Sequence, residues 1–295
     1  MADPSNGYRE RALAALSALP PFPPVLNRLI ATMGDQAASL QEIAKIIQAD
    51  PVIAGQVLQV ANSALYARCA TVASIPRAVA LLGVNKLRNI AIAMSLTRTL
   101  RMVHRVPGWS NQRFNLESLT CALICDALAR RLPIPDPEAA FAAGLLHHLG
   151  TVLIVFALPE KYAAITNGSH ANGTSILDRE REIIGVTHAE LSGSALRQWN
   201  LPESISSAAE HHHDPDGEKS RLKPGEIGLS LAIACADEYI GGSRSREARP
   251  VETGPQLQAG PLEPFKPLGI KLVSAGFLEN VDSELKIIGG VLHGR

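Results

Sequence analysis

The sequence predicts an all-α protein of two helical lobes, a front lobe over residues 1–105 and a second lobe over 106–295 that includes a C-terminal extension. Three observations carry that prediction. No stretch alternates apolar and polar residues with the period of two that a half-buried strand requires. Apolar residues recur instead at spacings of three and four, in runs punctuated by proline, glycine and capping motifs. With 46% hydrophobic residues in 295 there is material for a sizeable core, while 20 prolines keep single helices short.

In chain order, residues up to about 18 form one amphipathic helix with Leu13 and Leu16 on one face. Leu19-Pro20-Pro21-Phe22-Pro23-Pro24 follows as a rigid extended belt with one aromatic anchor, packed on its own domain or offered to a partner. Helix resumes with Val25, Leu26, Leu29 and Ile30. Ser39-Leu40-Gln41-Glu42 reads as a capping box ahead of Ile43, Ile46 and Ile47. Asp50-Pro51 opens the next helix, which ends near Asn62-Ser63. Ser74-Ile75-Pro76 starts a short helix that Gly83 stops, and Asn85 caps another running from Lys86 to about Arg101.

Val106-Pro107-Gly108 marks the step between lobes. Beyond it a long helix covers residues 114–131, ended by Pro133-Ile134-Pro135. Asp136 is the expected N-cap of a core helix over 141–155, with Pro137 in its first turn. Further helices cover 159–170 and 175–184, the second opened by a Ser-x-x-Asp box. Thr187-His188-Ala189-Glu190 is another capping box, which places His188 in a first helical turn. A helix from Asn200-Leu201-Pro202-Glu203 ends in His211-His212-His213. Residues 214–226 read as polar loop, 227–240 as an apolar helix carrying Asp237, and 241–267 as a loop whose Arg244, Arg246 and Arg249 are solvated. Short helices over 268–273 and 283–292 close the chain.

Composition narrows the function. Lys and Arg (28) balance Asp and Glu (28), so no global field favours nucleic acid or an anionic membrane. Aromatics at 4% are too few for a base-stacking surface. The four cysteines Cys69, Cys121, Cys125 and Cys235 form no Cys-x-x-Cys pair and are read as reduced, which suits a cytoplasmic protein. The opening Met1-Ala2-Asp3-Pro4 shows no signal peptide and no apolar run reaches spanning length, so neither membrane nor nucleic acid is an expected partner.

Chemistry concentrates at Gly144-Leu145-Leu146-His147-His148-Leu149-Gly150-Thr151. Adjacent imidazoles in an apolar helix need partners to offset lost hydration. On one continuous helix they would point about 100° apart. Further on stand His188, His211, His212 and Asp237. Together with His147 and His148 these give more nitrogen and oxygen donors than one metal ion needs. A mononuclear Fe, Zn, Mn or Ni ion suits such a set. The alternative is a set of imidazoles bonded to one another, to Glu117 or to water.

Several stretches together resemble one family. Leu19-Pro20-Pro21-Phe22-Pro23, Asp50-Pro51, Ala61-Asn62-Ser63 and Ala80-Leu81-Leu82-Gly83 are similar to the front half of the HDOD domain. Gly144-Leu145-Leu146-His147, His188-Ala189-Glu190, Trp199-Asn200-Leu201-Pro202 and His211-His212 are similar to its second half. The resemblance spans about residues 19–215. It implies a bacterial, all-helical relative of the HD and HD-GYP phosphohydrolases that serves signalling without hydrolysis. The superfamily holds metal with a His, a His-Asp pair and a distant Asp, and the HD-GYP branch adds later histidines. Carried over, His147 is the His of the pair, His148 stands where its Asp would be, and Asp237 is the distal Asp. His188, His211 and His212 fall on the added positions. No histidine stands near Asn115 to Glu117 for the first His, and Thr151 replaces a lysine that often follows the pair.

A neutral imidazole has one lone pair and cannot bridge two cations as a carboxylate does, so these departures argue against two-metal phosphodiester hydrolysis. The expected function is therefore a non-catalytic signal-transduction protein. It would bind other signalling proteins, such as cyclic-di-nucleotide modules or histidine kinase and receiver proteins, through the front lobe and the groove near Phe22. The rival is a divergent single-metal HD phosphohydrolase acting on a nucleotide or cyclic dinucleotide. A third reading is a metal-dependent or redox sensor without turnover.

Overall fold

The structure, a computed structural model, describes residues 4–18, 23–32, 40–66, 71–99, 106–168, 175–244, 263–268 and 275–294. Helices and 3-10 turns make up its regular structure, with no strand among the described residues. The expected Ser39 capping box, Phe22 with most of the proline belt, Cys69, Arg246 and Arg249 lie outside the described residues.

The front of the chain is a bundle of five short helices: α2 (Pro24–Ala31), α3 (Leu40–Gln48), α4 (Pro51–Ala61), α5 (Ile75–Leu82) and α6 (Val84–Thr99). Asp50 caps α4 as its sequence suggests, accepting hydrogen bonds from the backbone N–H of Val52 (3.0 Å) and Ile53 (3.2 Å). Arg98 closes on the same carboxylate at 2.6 Å and 3.1 Å, which ties α6 to the start of α4. Gly83 ends α5 at φ 79°, a value an L side chain adopts only with strain. Here α6 departs from expectation, because it begins at Val84 and Asn85 is no N-cap. The Asn85 side chain instead accepts from the guanidinium of Arg88 at 3.1 Å. Arg88 is only 2% exposed and needs every acceptor within reach. It also donates to the carbonyl of Thr32 (3.1 Å) and pairs with Glu138 (2.8 Å).

The second half contains α7 (Asn111–Ala129), α8 (Ala140–Leu146), α9 (Leu149–Ala157), α10 (Pro159–Gly168), α11 (Ile176–Ile184), α12 (His188–Gln198), α13 (Glu203–His211) and α14 (Leu229–Arg244). Helix α8 lies along α7, α12 packs on α9 and α13, and α14 spans α7 and α13. Asp136 is not a side-chain cap; its carboxylate accepts from the Ser204 hydroxyl at 2.7 Å, and a 3-10 turn over Pro137–Ala139 precedes α8. The expected polar loop 214–226 contains a 3-10 helix, Pro215–Arg221. Its Glu218 is buried and accepts from the Ser230 N–H (2.9 Å) and hydroxyl (2.5 Å), so that it caps α14 from a distance in sequence. The loop expected from 241 starts later, since α14 runs through Arg244. A 3-10 helix over Glu263–Leu268 brings Phe265 against Tyr239, with ring centroids 5.3 Å apart.

Both ends of the chain pack away from their sequence neighbours. Helix α1 (Pro4–Ala18) lies on α9, α11 and α12 rather than on the front bundle. It buries Ala12 and Ala15, small enough for a close approach, while Leu13 and Leu16 are only half-buried. Arg11 donates to Glu160 and to the Ala157 carbonyl that ends α9, each at 2.8 Å. At the other end α15 (Ala275–Leu292), longer than expected from 283–292, packs on α4, α6 and α7. Residues Pro137–Ala157 are, against expectation, long and apolar enough to cross a membrane by composition alone, with mean hydropathy 1.8. That stretch is 83% buried inside the protein and is interrupted at His147 and His148.

Candidate metal centre

The helix expected to run unbroken over 141–155 stops at Leu146 and restarts at Leu149. The His147 ring turns back and donates from Nδ1 to the Gly144 carbonyl at 2.7 Å, a side chain competing for a helical acceptor. The interruption brings the two rings side by side instead of splaying them, with centroids 3.8 Å apart and planes at 35°. Glycine on either side permits this. A Cβ on Gly144 would lie 2.9 Å from the backbone of Ala122, and one on Gly150 would lie 1.9 Å from the carbonyl oxygen of His188. The Gly150 N–H donates to the Ser192 hydroxyl at 2.8 Å, fixing α9 against α12.

Three further imidazoles meet this pair. The Thr187 capping box sets His188 at the first position of α12. Glu180, 3% exposed and on α11, accepts the His188 backbone N–H at 2.8 Å and faces its Nδ1 with both oxygens, at 2.9 and 2.8 Å. His212 donates from Nδ1 to the Ala209 carbonyl at 2.7 Å. The Nε2 of His188 stands 3.4 Å from that of His212 and 3.1 Å from that of His213. From α14, Asp237 places its carboxylate oxygens 3.8 Å from His147 Nε2 and 3.7 Å from His148 Nε2.

Two overlapping donor sets result, His148 with His188, His212 and His213, and His147 with His148 and Asp237. Of the residues singled out by sequence, His147, His148, His188, His212 and Asp237 stand together. His211 does not join them; its ring lies over Gly217 and its Nε2 is 4.0 Å from Glu210. His213 occupies the place the sequence offered to His211. Helix α13 ends at His211, so the next two residues follow a turn and stack on one side, with centroids 4.1 Å apart. Glu180 carries no sequence signal, since it sits in a charged run that reads as a solvated face. In α7, Asn115 is buried and Glu117 pairs with Arg113 at 3.2 Å.

The donor chemistry fits a metal ion. Nδ1 of His147, His188 and His212 is each held by an acceptor, which fixes the tautomer and leaves Nε2 as a lone pair. His147 Nε2 is buried and has no hydrogen-bond partner. The Nε2 lone pairs of His188 and His212, 3.4 Å apart, repel unless a proton or a cation lies between them. Metal–imidazole bonds of about 2.0–2.1 Å in a tetrahedral shell set neighbouring nitrogens about 3.3–3.4 Å apart, close to the spacing found.

Protonation follows the same pattern. Burial, reinforced by the other histidines, holds His212 well below the ordinary imidazole range. Partial burial of the His213 ring, then the neighbouring His188, brings it down to about 4. Burial also disfavours charge on His188, yet the carboxylate of Glu180 outweighs it and the net shift is upward. Behind Asp237 the thiols of Cys121 and Cys125 are buried with Sγ atoms 3.9 Å apart; burial pushes Cys121 far up, so it packs as a neutral thiol.

Residues 19–215 match the family model of the HDOD domain. The chain is 25% identical over 226 residues to an uncharacterized protein of Treponema pallidum (strain Nichols), a match covering 75% of this chain but 42% of that one, so the chain spans less than half the relative's length. A crystal structure from Shewanella amazonensis SB2B, provisionally called a phosphohydrolase, superposes with TM-score 0.71 at 25% identity and covers 96% of this chain and 98% of its own. An HDOD domain protein of unknown function from Geobacter sulfurreducens superposes with TM-score 0.72 at 23% identity, covering 97% of each chain.

Proposed function

Because the chain belongs to the HDOD domain family, we propose that it is a regulatory protein of bacterial signal transduction that binds partner proteins and turns over no substrate. The observation that carries this reading is His148. It stands beside His147 where the related hydrolases need a carboxylate, and Asp237 is the one carboxylate in either donor set. Two-metal hydrolysis needs a bridging oxygen donor and an activated water between the ions. A cluster of imidazoles supplies neither the bridge nor the negative charge that holds two cations together. It does suit one borderline transition-metal ion such as Fe, Zn, Mn or Ni, which when bound would supply a Lewis-acid centre and a fixed positive charge. The protein's own residues hold that position by orienting each imidazole through Gly144, Ala209 and Glu180. Partner binding belongs to the front of the molecule, where Leu40, Val52, Leu65 and Leu81 leave large apolar side chains exposed.

The rival reading, a single-metal phosphohydrolase, draws support from the unpartnered His147 Nε2 facing Asp237. Protein reconstituted with each of Fe, Zn, Mn and Ni should show no turnover of nucleotides or cyclic dinucleotides above that of a His147→Ala, Asp237→Ala double variant. Metal-dependent turnover that the double variant loses would establish the rival and end the regulatory reading.

A further inference from the structure

We propose that a single metal ion is held by His148, His188 and His212, and that His213 is its displaceable ligand, yielding its position to a small anionic donor. This rests on the metal-holding part of the function proposed above and adds where the ion sits and how it responds.

The two donor sets differ in how far they are assembled. In the histidine set His188 Nε2 already stands 3.4 Å from His212 Nε2 and 3.1 Å from His213 Nε2, the separation of neighbouring ligands on one ion, and the His148 ring faces His188 and His212 with centroids 5.0 and 5.2 Å away. In the set containing Asp237 the separations are 3.7 and 3.8 Å, so those ligands must close by several tenths of an ångström first. His148 belongs to both sets, and a neutral imidazole gives its lone pair to one ion at a time. With three of its four donors already at ligand spacing, the histidine set takes His148, and the chain holds one ion.

Within that set the ligands are unequally tethered. His188 and His212 are buried at 3% and 1% exposure, and each is locked through Nδ1. His213 is exposed, lies beyond the end of α13, and has its one hydrogen-bonding contact among the described residues at His188 Nε2. Rotation of its ring toward solvent gives up only its stacking on His212, at 4.1 Å between centroids, and its contact with His188. Removing one neutral imidazole leaves a divalent ion with neutral ligands and an open position on the solvent side. Such a position favours a monoanionic donor, either a free carboxylate or the side chain of a bound protein.

Co(II) loading of the full chain reads this through its visible absorption, with azide as the anionic probe. One Co(II) per chain is expected in wild type, in Asp237→Asn and in His213→Ala, with affinity lowered about tenfold or more in His213→Ala alone. Azide should shift the His213→Ala spectrum at a concentration at least tenfold below that needed for wild type. His188→Ala and His212→Ala should abolish binding, with far-ultraviolet circular dichroism to show that they remain folded. Loss of Co(II) in Asp237→Asn with no change in His213→Ala would overturn the proposal, as would failure of wild type to bind Co(II). Equal azide responses in wild type and His213→Ala would overturn the displaceable role. If azide acts as expected, acetate against a Glu-containing peptide distinguishes the free from the protein-borne carboxylate. None of these readouts depends on turnover, so the absence of hydrolysis stands or falls separately.

Discussion

Glu180 grips His188 twice, accepting its backbone N–H at 2.8 Å while both carboxylate oxygens face its Nδ1 at 2.9 and 2.8 Å. One buried carboxylate thus sets where α12 begins, which way the ring faces and which nitrogen carries the proton. Glu180→Gln keeps the size but loses the charge that raises the basicity of Nε2. Metal affinity in a competition titration should fall about tenfold to a hundredfold, with the helical content unchanged. An unaltered affinity would mean that Glu180 serves folding only.

Gly150 has no room for a methyl group, because the carbonyl oxygen of His188 occupies the place of its Cβ at 1.9 Å. Neither helix can give way cheaply, since the obstruction is backbone. Gly150→Ala should cost about 3 kcal/mol in urea unfolding, at the upper end for overpacking. It should also weaken metal binding by pushing α9 off α12. Stability close to wild type would show that α9 and α12 are less closely packed than described.

Arg88 carries a buried charge from α6 to Glu138, at the head of the segment that leads to His147. Arg88→Ala loses the packing of a buried side-chain stem as well as the charge, whereas Arg88→Met keeps the stem's volume and leaves Glu138, 35% exposed, to water. Arg88→Ala should destabilise by about 3 kcal/mol and Arg88→Met by about 1 kcal/mol or less, measured by denaturant midpoints at constant slope. Equal losses would assign the effect to the charge rather than to packing of the side-chain stem.

Asp50 titrates below the ordinary carboxylate range, first through its hydrogen bonds with Arg98 and then through the N–H groups of Ile53 and Val52, with burial opposing. A carboxylate lowered in the folded state stabilises it fully above the unfolded pKa of about 3.9, and that contribution vanishes as the pH falls through the folded value. Asp50→Asn should therefore cost about 1 kcal/mol at pH 7, the half-exposed Arg98 limiting the effect. The gap between the two proteins should shrink between about pH 5 and pH 2. A gap that is constant with pH would mean capping geometry alone is at work.

Most helices were legible because their ends are written locally. Asp50, Ser175 and Thr187 each accept the backbone N–H groups that a cap must accept, and no tertiary contact is needed to foresee them. What escaped the sequence depends on groups far away along the chain. The interruption at His147 arises when a ring recruits the Gly144 carbonyl, and Asn85 abandons a cap because a buried Arg88 claims its oxygen. The choice of His213 over His211 hangs on where α13 stops, a matter of one residue. Glu180 looks like surface charge until α11 and α12 are placed together.

The crossing of α1 and α15 over the step between α6 and α7 makes the chain a poor candidate for dissection. Severed there, the front piece would lack the α15 surface that α4 and α6 pack on, and the rear piece would lack the α1 that covers α9, α11 and α12. Each fragment would expose apolar surface that only the other can cover. Mixed in equal amounts, they should reassociate into one non-covalent complex, so that a nicked chain migrates on size exclusion as if it were whole.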